Sequence, residues 1–154
     1  MEPAFCQTAD EIRNTSIDLL NQHLAAALIL QDRMLQSPRH IRGPDFIMVD
    51  DLCDRVARLM EGCTMVIATR VADLGGALQW PARLGWYPSA EPLEAELAIV
   101  TPLDEFAQSV LDAAAIAEAY GDAATVDVLA GVWRDVDRHL WMSVKATHTH
   151  GLAS

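Results

Sequence analysis

Lysine is almost missing from this sequence: Lys145 is the only one in 154 residues, and all basic residues number 11 against 22 acids. The net charge of −11 and a pI near 4.6 leave a surface that repels phosphate backbones, which excludes non-specific nucleic-acid binding as an expected role. Cysteine is scarce too. Cys6, Cys53 and Cys63 are odd in number and form no Cys-x-x-Cys pair, so a disulfide framework and a structural zinc site are not expected, and the three read as buried thiols. Long apolar runs are also missing: none reaches the roughly 18 to 20 residues needed to cross a bilayer, and mean hydropathy is only +0.13. The stretch Met1 to Phe5 carries an acid and leads into no apolar run with a small-residue cleavage site. No secretory signal is expected, and the cytoplasm is the expected compartment.

What the chain has in quantity is apolar residues, 51% of the total, at helical spacing. Ile17, Leu20, Leu24, Leu28, Met34 and Leu35 mark a first helix that begins near Thr8 and is broken at Ser37-Pro38, where proline disfavours helical geometry in the residue before it. After Gly43-Pro44-Asp45, the stripe Val49, Leu52, Val56, Leu59, Cys63, Val66 and Leu74 predicts a second helix that stops at Gly75-Gly76. Residues 78–92 contain three prolines, Trp80, Trp86 and Tyr87, and read as an ordered crossover with room for one short extra helix near Pro81. Thr101-Pro102 followed by acids predicts a third helix that begins or kinks there and runs to Tyr120-Gly121. Asp122 opens a fourth, striped by Val126, Leu129, Trp133, Val136, Leu140 and Val144. The expectation is one all-α domain over 1–154, a ferritin-like four-helix bundle at about 8–146, with short tails at 1–7 and 147–154 and a long crossover between helices 2 and 3.

Three blocks then carry a resemblance. Ile41-Arg-Gly43-Pro-Asp-Phe46, Arg70-Val-Ala-Asp-Leu-Gly75-Gly76 and Thr125-Val-Asp127, the last followed by Arg134-Asp-Val-Asp137-Arg-His-Leu-Trp141, resemble the Dps family of mini-ferritins over about residues 20–145. The resemblance implies a hollow dodecamer in which iron is oxidised by peroxide at sites shared between two-fold related chains, then stored inside. It also implies a ferroxidase, an oxidoreductase acting on metal ions.

Residue by residue, this sequence departs from that pattern. The family's first His ligand falls at Pro38 and its second at Asp50, while a ligand Asp is kept at Asp54. The two carboxylates contributed across the two-fold axis fall at Met65 and Thr69, neither an anionic oxygen donor. Iron oxidation needs several His or carboxylate ligands with an open position for the oxidant, so the ferroxidase centre is expected to be degenerate, with iron weakly bound or absent there. Asp50 and Asp54 lie one helical turn apart and, with Asp51 beside them, leave two readings open: a weak divalent-cation site, or acids that favour the helix dipole and solubility. Whether any enzyme activity remains is likewise open. The resemblance further implies an acidic pore at the three-fold axis, with Glu118, Asp122 and Asp127 as candidates. The alternative is that these acids solvate an inter-helix loop.

Other residues give less. His148 and His150 lack a third ligand for a firm metal site, and His23 and His139 read as packed or hydrogen-bonded helix residues. Met60, Met65, Cys53 and Cys63 share one helix and form either a soft metal site or core filler. No organic cofactor, membrane span or DNA partner is expected. The functional expectation is a Dps-like cage for iron binding, storage and oxidative-stress protection. The alternative is a non-enzymatic shell or scaffold subunit, and a third reading has it co-assemble with an active paralogue.

Overall fold

The computed structural model describes residues 8–36, 46–82 and 96–151. Among them are four helices: α1 (Ala9–Gln36), α2 (Phe46–Asp73), α3 (Thr101–Ala119) and α4 (Ala123–Gly151). Both α1 and α2 have 28 residues, so each spans about 42 Å at 1.5 Å per residue.

Local chemistry sets the helix ends. A reciprocal capping box opens α1: the Glu11 amide donates to Thr8 Oγ1 at 3.2 Å, and the Thr8 amide donates to Glu11 Oε2 at 2.8 Å. α2 closes on Gly75, whose φ of +73° only glycine adopts without strain. The Gly75 amide bonds the Ala72 carbonyl and the Gly76 amide the Val71 carbonyl, both at 2.9 Å, which satisfies carbonyls the helix leaves free. The same closure ends α3, with Gly121 at φ +79° and amides of Gly121 and Asp122 bonded to Glu118 and Ala117.

α3 begins at Thr101 as the sequence predicts, but its cap differs from the expected one, and α4 ends later than expected. Thr101 is not an N-cap, because Val100 before it is already helical and a wide π-helical turn, Glu96–Val100, runs straight into α3. Proline at the second position of α3 needs no amide bond, so the wide turn and Pro102 coexist without an orphaned donor. The C-terminal segment is not a tail from 147: α4 continues through Gly151, since no glycine or proline interrupts residues 132–150. The breaks expected at Pro38 and the short helix near Pro81 fall mostly outside the described residues; Pro81 and Ala82 themselves are non-helical.

Contacts between elements fix the topology. α1 packs most extensively on α2, and α3 on α4. Ser16 near the start of α1, Arg70 near the end of α2 and Asp122 at the start of α4 meet at one end of the bundle. α1 and α2 are therefore antiparallel, and so are α3 and α4. Because α2 and α3 both end at that same pole, the connection between them must return along the bundle, the arrangement of ferritin-like folds.

The core runs the length of the bundle. Leu20, Leu24 and Met34 of α1 meet Val56, Met60, Ile67 and Val71 of α2, with Leu103 and Val110 of α3 and Leu129 and Val136 of α4. The second stripe drifts from its expected path: Ile67 is fully buried, whereas Val66 is 48% exposed. A helix of 3.6 residues per turn cannot hold a strict three-four pattern over 28 residues on one line, so burial passes from Cys63 to Ile67. Asn21, buried on α1, pins the chain that leaves α2 by donating to the Ala77 carbonyl and accepting from the Gln79 amide, both at 3.0 Å.

Candidate functional site

The outward stripe of α2 holds most of the residues singled out for metal. Ile47, Asp51, Asp54, Arg58, Met65 and Thr69 are spaced by three, four or seven residues, which places them on one face, and all are exposed. Asp50 is exposed at its edge. The acids have partners of their own. Arg55 pairs with Asp51 at 2.7 Å, and Arg58 donates to Asp54 Oδ2, each one turn along the same helix. Thr69 donates its hydroxyl back to the Met65 carbonyl at 2.8 Å, and its oxygen is a neutral hydroxyl rather than a carboxylate. Met65 is 66% exposed and offers only a soft thioether.

The soft-ligand set does not come together. Cys53, Met60 and Cys63 are buried in the core while Met65 points away from it. Burial pushes both thiols up to about 12, with smaller contributions from Asp50 at Cys53 and Asp135 at Cys63. They are neutral and poor nucleophiles or ligands at physiological pH. Cys6 lies outside the described residues.

The acids of the α3–α4 turn separate into two kinds. Glu118 and Asp127 are exposed. Asp122 is not a solvent-facing acid, which corrects its grouping with the other two: it is the N-cap of α4 and its side chain is 10% exposed. Its Oδ1 accepts from the Thr125 amide at 3.2 Å and from Arg70 Nη2 at 3.1 Å; its Oδ2 accepts from Ser16 Oγ and Thr125 Oγ1, both at 2.6 Å. Arg70 Nε donates to Thr125 Oγ1 at 3.1 Å, closing the network over α1, α2 and α4. Burial alone would raise the Asp122 carboxyl, but hydrogen bonds from Ser16 and Thr125, with the Arg70 charge, hold it below the usual value of 3.8.

His23 and His139 are structural. His23 is buried, with Nδ1 2.7 Å from the Leu19 carbonyl oxygen and Nε2 3.0 Å from that of Ser109, so it ties α1 to α3. His139 Nδ1 lies 2.9 Å from the Asp135 carbonyl on its own helix. His148 is exposed on the last turns of α4. Trp80 is 63% exposed beside the Asn21 anchor, and Trp86 and Tyr87 lie outside the described residues. Among the described residues no three His, Cys, Asp or Glu side chains of one chain are grouped to hold a metal ion.

Comparison with known proteins fits this geometry into a family. A ferritin-like domain model matches residues 17–148. The DNA protection during starvation protein of Agrobacterium fabrum is 29% identical over 138 residues, which covers 84% of this chain and 85% of the relative. DpsC from Streptomyces coelicolor superposes with a TM-score of 0.76 at 25% identity, covering 94% of this chain and 90% of that one. This chain belongs to the Dps family of mini-ferritins. Antigen TpF1 from Treponema pallidum shares the fold, with a TM-score of 0.75 at 19% identity over 95% of this chain and 99% of its own.

At the positions where the resemblance expects ligands, this Dps-family chain carries few oxygen or nitrogen donors. Asp54 already carries a guanidinium, and Met65 and Thr69 supply no carboxylate where the resemblance expects one. Pro38 has no donor side chain, and its placement lies outside the described residues. Arg58 is the residue that the sequence reading passed over, although its four-residue spacing from Asp54 signals the pair. Arg70 was unreadable as the partner of Asp122, because 52 residues separate them.

Proposed function

We propose that this chain is a subunit of a Dps-like cage that binds and stores iron and limits oxidative stress, with an inter-subunit ferroxidase centre that is degenerate. Family membership supports the storage role in general terms. The degenerate centre rests on one observation: the surviving Asp54 carboxylate is paired with Arg58, and its counterparts are Met65 and Thr69. A guanidinium at that carboxylate competes with any divalent cation, and the remaining donors are too few to hold iron through a change of charge. Glu118 and Asp127 remain the candidates for an acidic pore, where their charge would concentrate cations; Asp122 supports them from behind as a cap. The assembly is a homo-oligomer, a dodecamer by family analogy, and the compartment is the cytoplasm.

The test is ferrous iron mixed with hydrogen peroxide and the purified protein, followed by absorbance in a stopped-flow instrument. Oxidation at close to the protein-free rate is expected. A fast phase with two irons oxidised per chain would overturn the degenerate centre.

The pairing of every outward acid on the first half of α2 except Asp50 also favours a second reading, a non-enzymatic shell subunit that co-assembles with an active paralogue. Iron loading separates the two. A mineral core that grows in cages of this chain alone supports storage; cages that stay empty unless mixed with a ferroxidase-active chain support the shell role.

A further inference from the structure

Asp135, His139 and Met142 of α4 bring a carboxylate, an imidazole and a thioether to one face, since steps of four and three residues return to the same side of a helix. Asp135 is exposed, Met142 is 40% exposed, and His139 stands half-buried between them. Side chains on a helix lean towards its N-terminus, so each member of the row reaches back towards the one before.

The bond that makes His139 structural also sets its chemistry. Its Nδ1 lies 2.9 Å from the Asp135 carbonyl oxygen, which can only accept, so Nδ1 carries the hydrogen and the neutral ring keeps its lone pair on Nε2. An imidazole oriented in this way through one nitrogen is the form that ligates a metal through the other. Asp135 is also placed differently from the acids of α2. Asp51 and Asp54 each pair with an arginine one turn on, whereas Asp135 has this imidazole there and forms no ion pair among the described residues.

We propose that this face of α4 binds a copper ion, with His139 Nε2 as the ligand common to both oxidation states. Seven residues of helix span about 10 Å, too far for Asp135 and Met142 to grip one ion together. Each pairs with the histidine instead. The Asp135 carboxylate and the imidazole suit cupric ion, which binds nitrogen and oxygen donors more tightly than the other first-row divalent ions, with water completing its shell. The imidazole and the Met142 thioether suit cuprous ion, for which soft sulfur is a favoured donor. Zinc has no second state that would use the thioether. The site stands apart from iron storage and does not rest on the ferroxidase reading.

Copper titration of the full chain tests it, with Cys6→Ser as parent throughout so that this thiol does not compete. Cupric ion is followed by electron paramagnetic resonance and equilibrium dialysis, cuprous ion by competition with bathocuproine under ascorbate without oxygen, and helicity of each variant by circular dichroism. His139→Phe should weaken both states by more than about tenfold, Asp135→Asn only the cupric and Met142→Leu only the cuprous. Binding that survives His139→Phe, a cupric affinity unmoved by Asp135→Asn or a cuprous affinity unmoved by Met142→Leu overturns the site. The rival ligands are His148 and His150. His148→Ala/His150→Ala should keep both affinities, and loss of copper in that variant overturns the assignment to His139.

Discussion

At the scale of single residues, Asp122 carries more of the structure than any other polar side chain described. It caps α4 and accepts from Ser16 of α1 and Arg70 of α2, so one carboxylate joins three helices at the pole where the bundle closes. Asp122→Ala removes a cap and strands the Arg70 charge, and is expected to lower unfolding free energy by about 3 kcal/mol in urea denaturation. The same group gives a pH dependence. Because its folded pKa lies below the ordinary 3.8, its contribution is complete above about pH 4 and drains away as pH falls through the lower folded value. Thermal melts should show a loss of stability below pH 4 that is smaller in Asp122→Asn. Cys53 and Cys63, pushed up to about 12, should resist iodoacetamide at pH 8 in the native protein and react on unfolding. Rapid labelling of either in the folded chain, read by mass spectrometry, would contradict their burial.

At the scale of elements, the ends of the helices were legible because their signals are local. Thr8 with Glu11, Gly75-Gly76 and Gly121-Asp122 each act within five residues, and the structure uses each of them. Gly121 has open space around its missing side chain, so Gly121→Ala costs only backbone strain at φ +79°, about 1 to 2 kcal/mol by chemical denaturation. The start of α3 was ambiguous for the opposite reason. Thr101-Pro102 carries a helix-start signal, but packing of Ala98 and Ile99 into the core extends the helix backwards through a wide turn. Burial outweighs a cap hydroxyl here, since two apolar side chains enter the core for one hydrogen bond left unmade. On α2 the three-four spacing located the buried side, yet its drift from Cys63 to Ile67 depends on the neighbouring helices and left Val66 outside.

For the whole molecule, charge is the governing quantity. Net −11 per chain would become about −130 in the proposed twelve-chain shell, a field that would repel DNA and draw cations. No mobility shift of linear DNA is expected at physiological salt and pH 7, in contrast to what the name of the Agrobacterium relative says of that protein. A clear shift with purified protein would contradict this. The pole built by Ser16, Arg70, Asp122 and Thr125 also bears on the proposed acidic pore: Asp122 is paired with Arg70, and of the three candidate acids Glu118 and Asp127 are the exposed ones.

The sequence by itself determined the helices, their order and the long connection between the second and third, because periodicity and turn chemistry are properties of neighbours along the chain. Only the tertiary structure decided that Asp122 is a largely covered joint between helices and that Cys53 and Cys63 are sealed in the core. Each of those depends on what distant helices bring alongside, and contacts across 50 or 100 residues leave no local mark in the order of the amino acids.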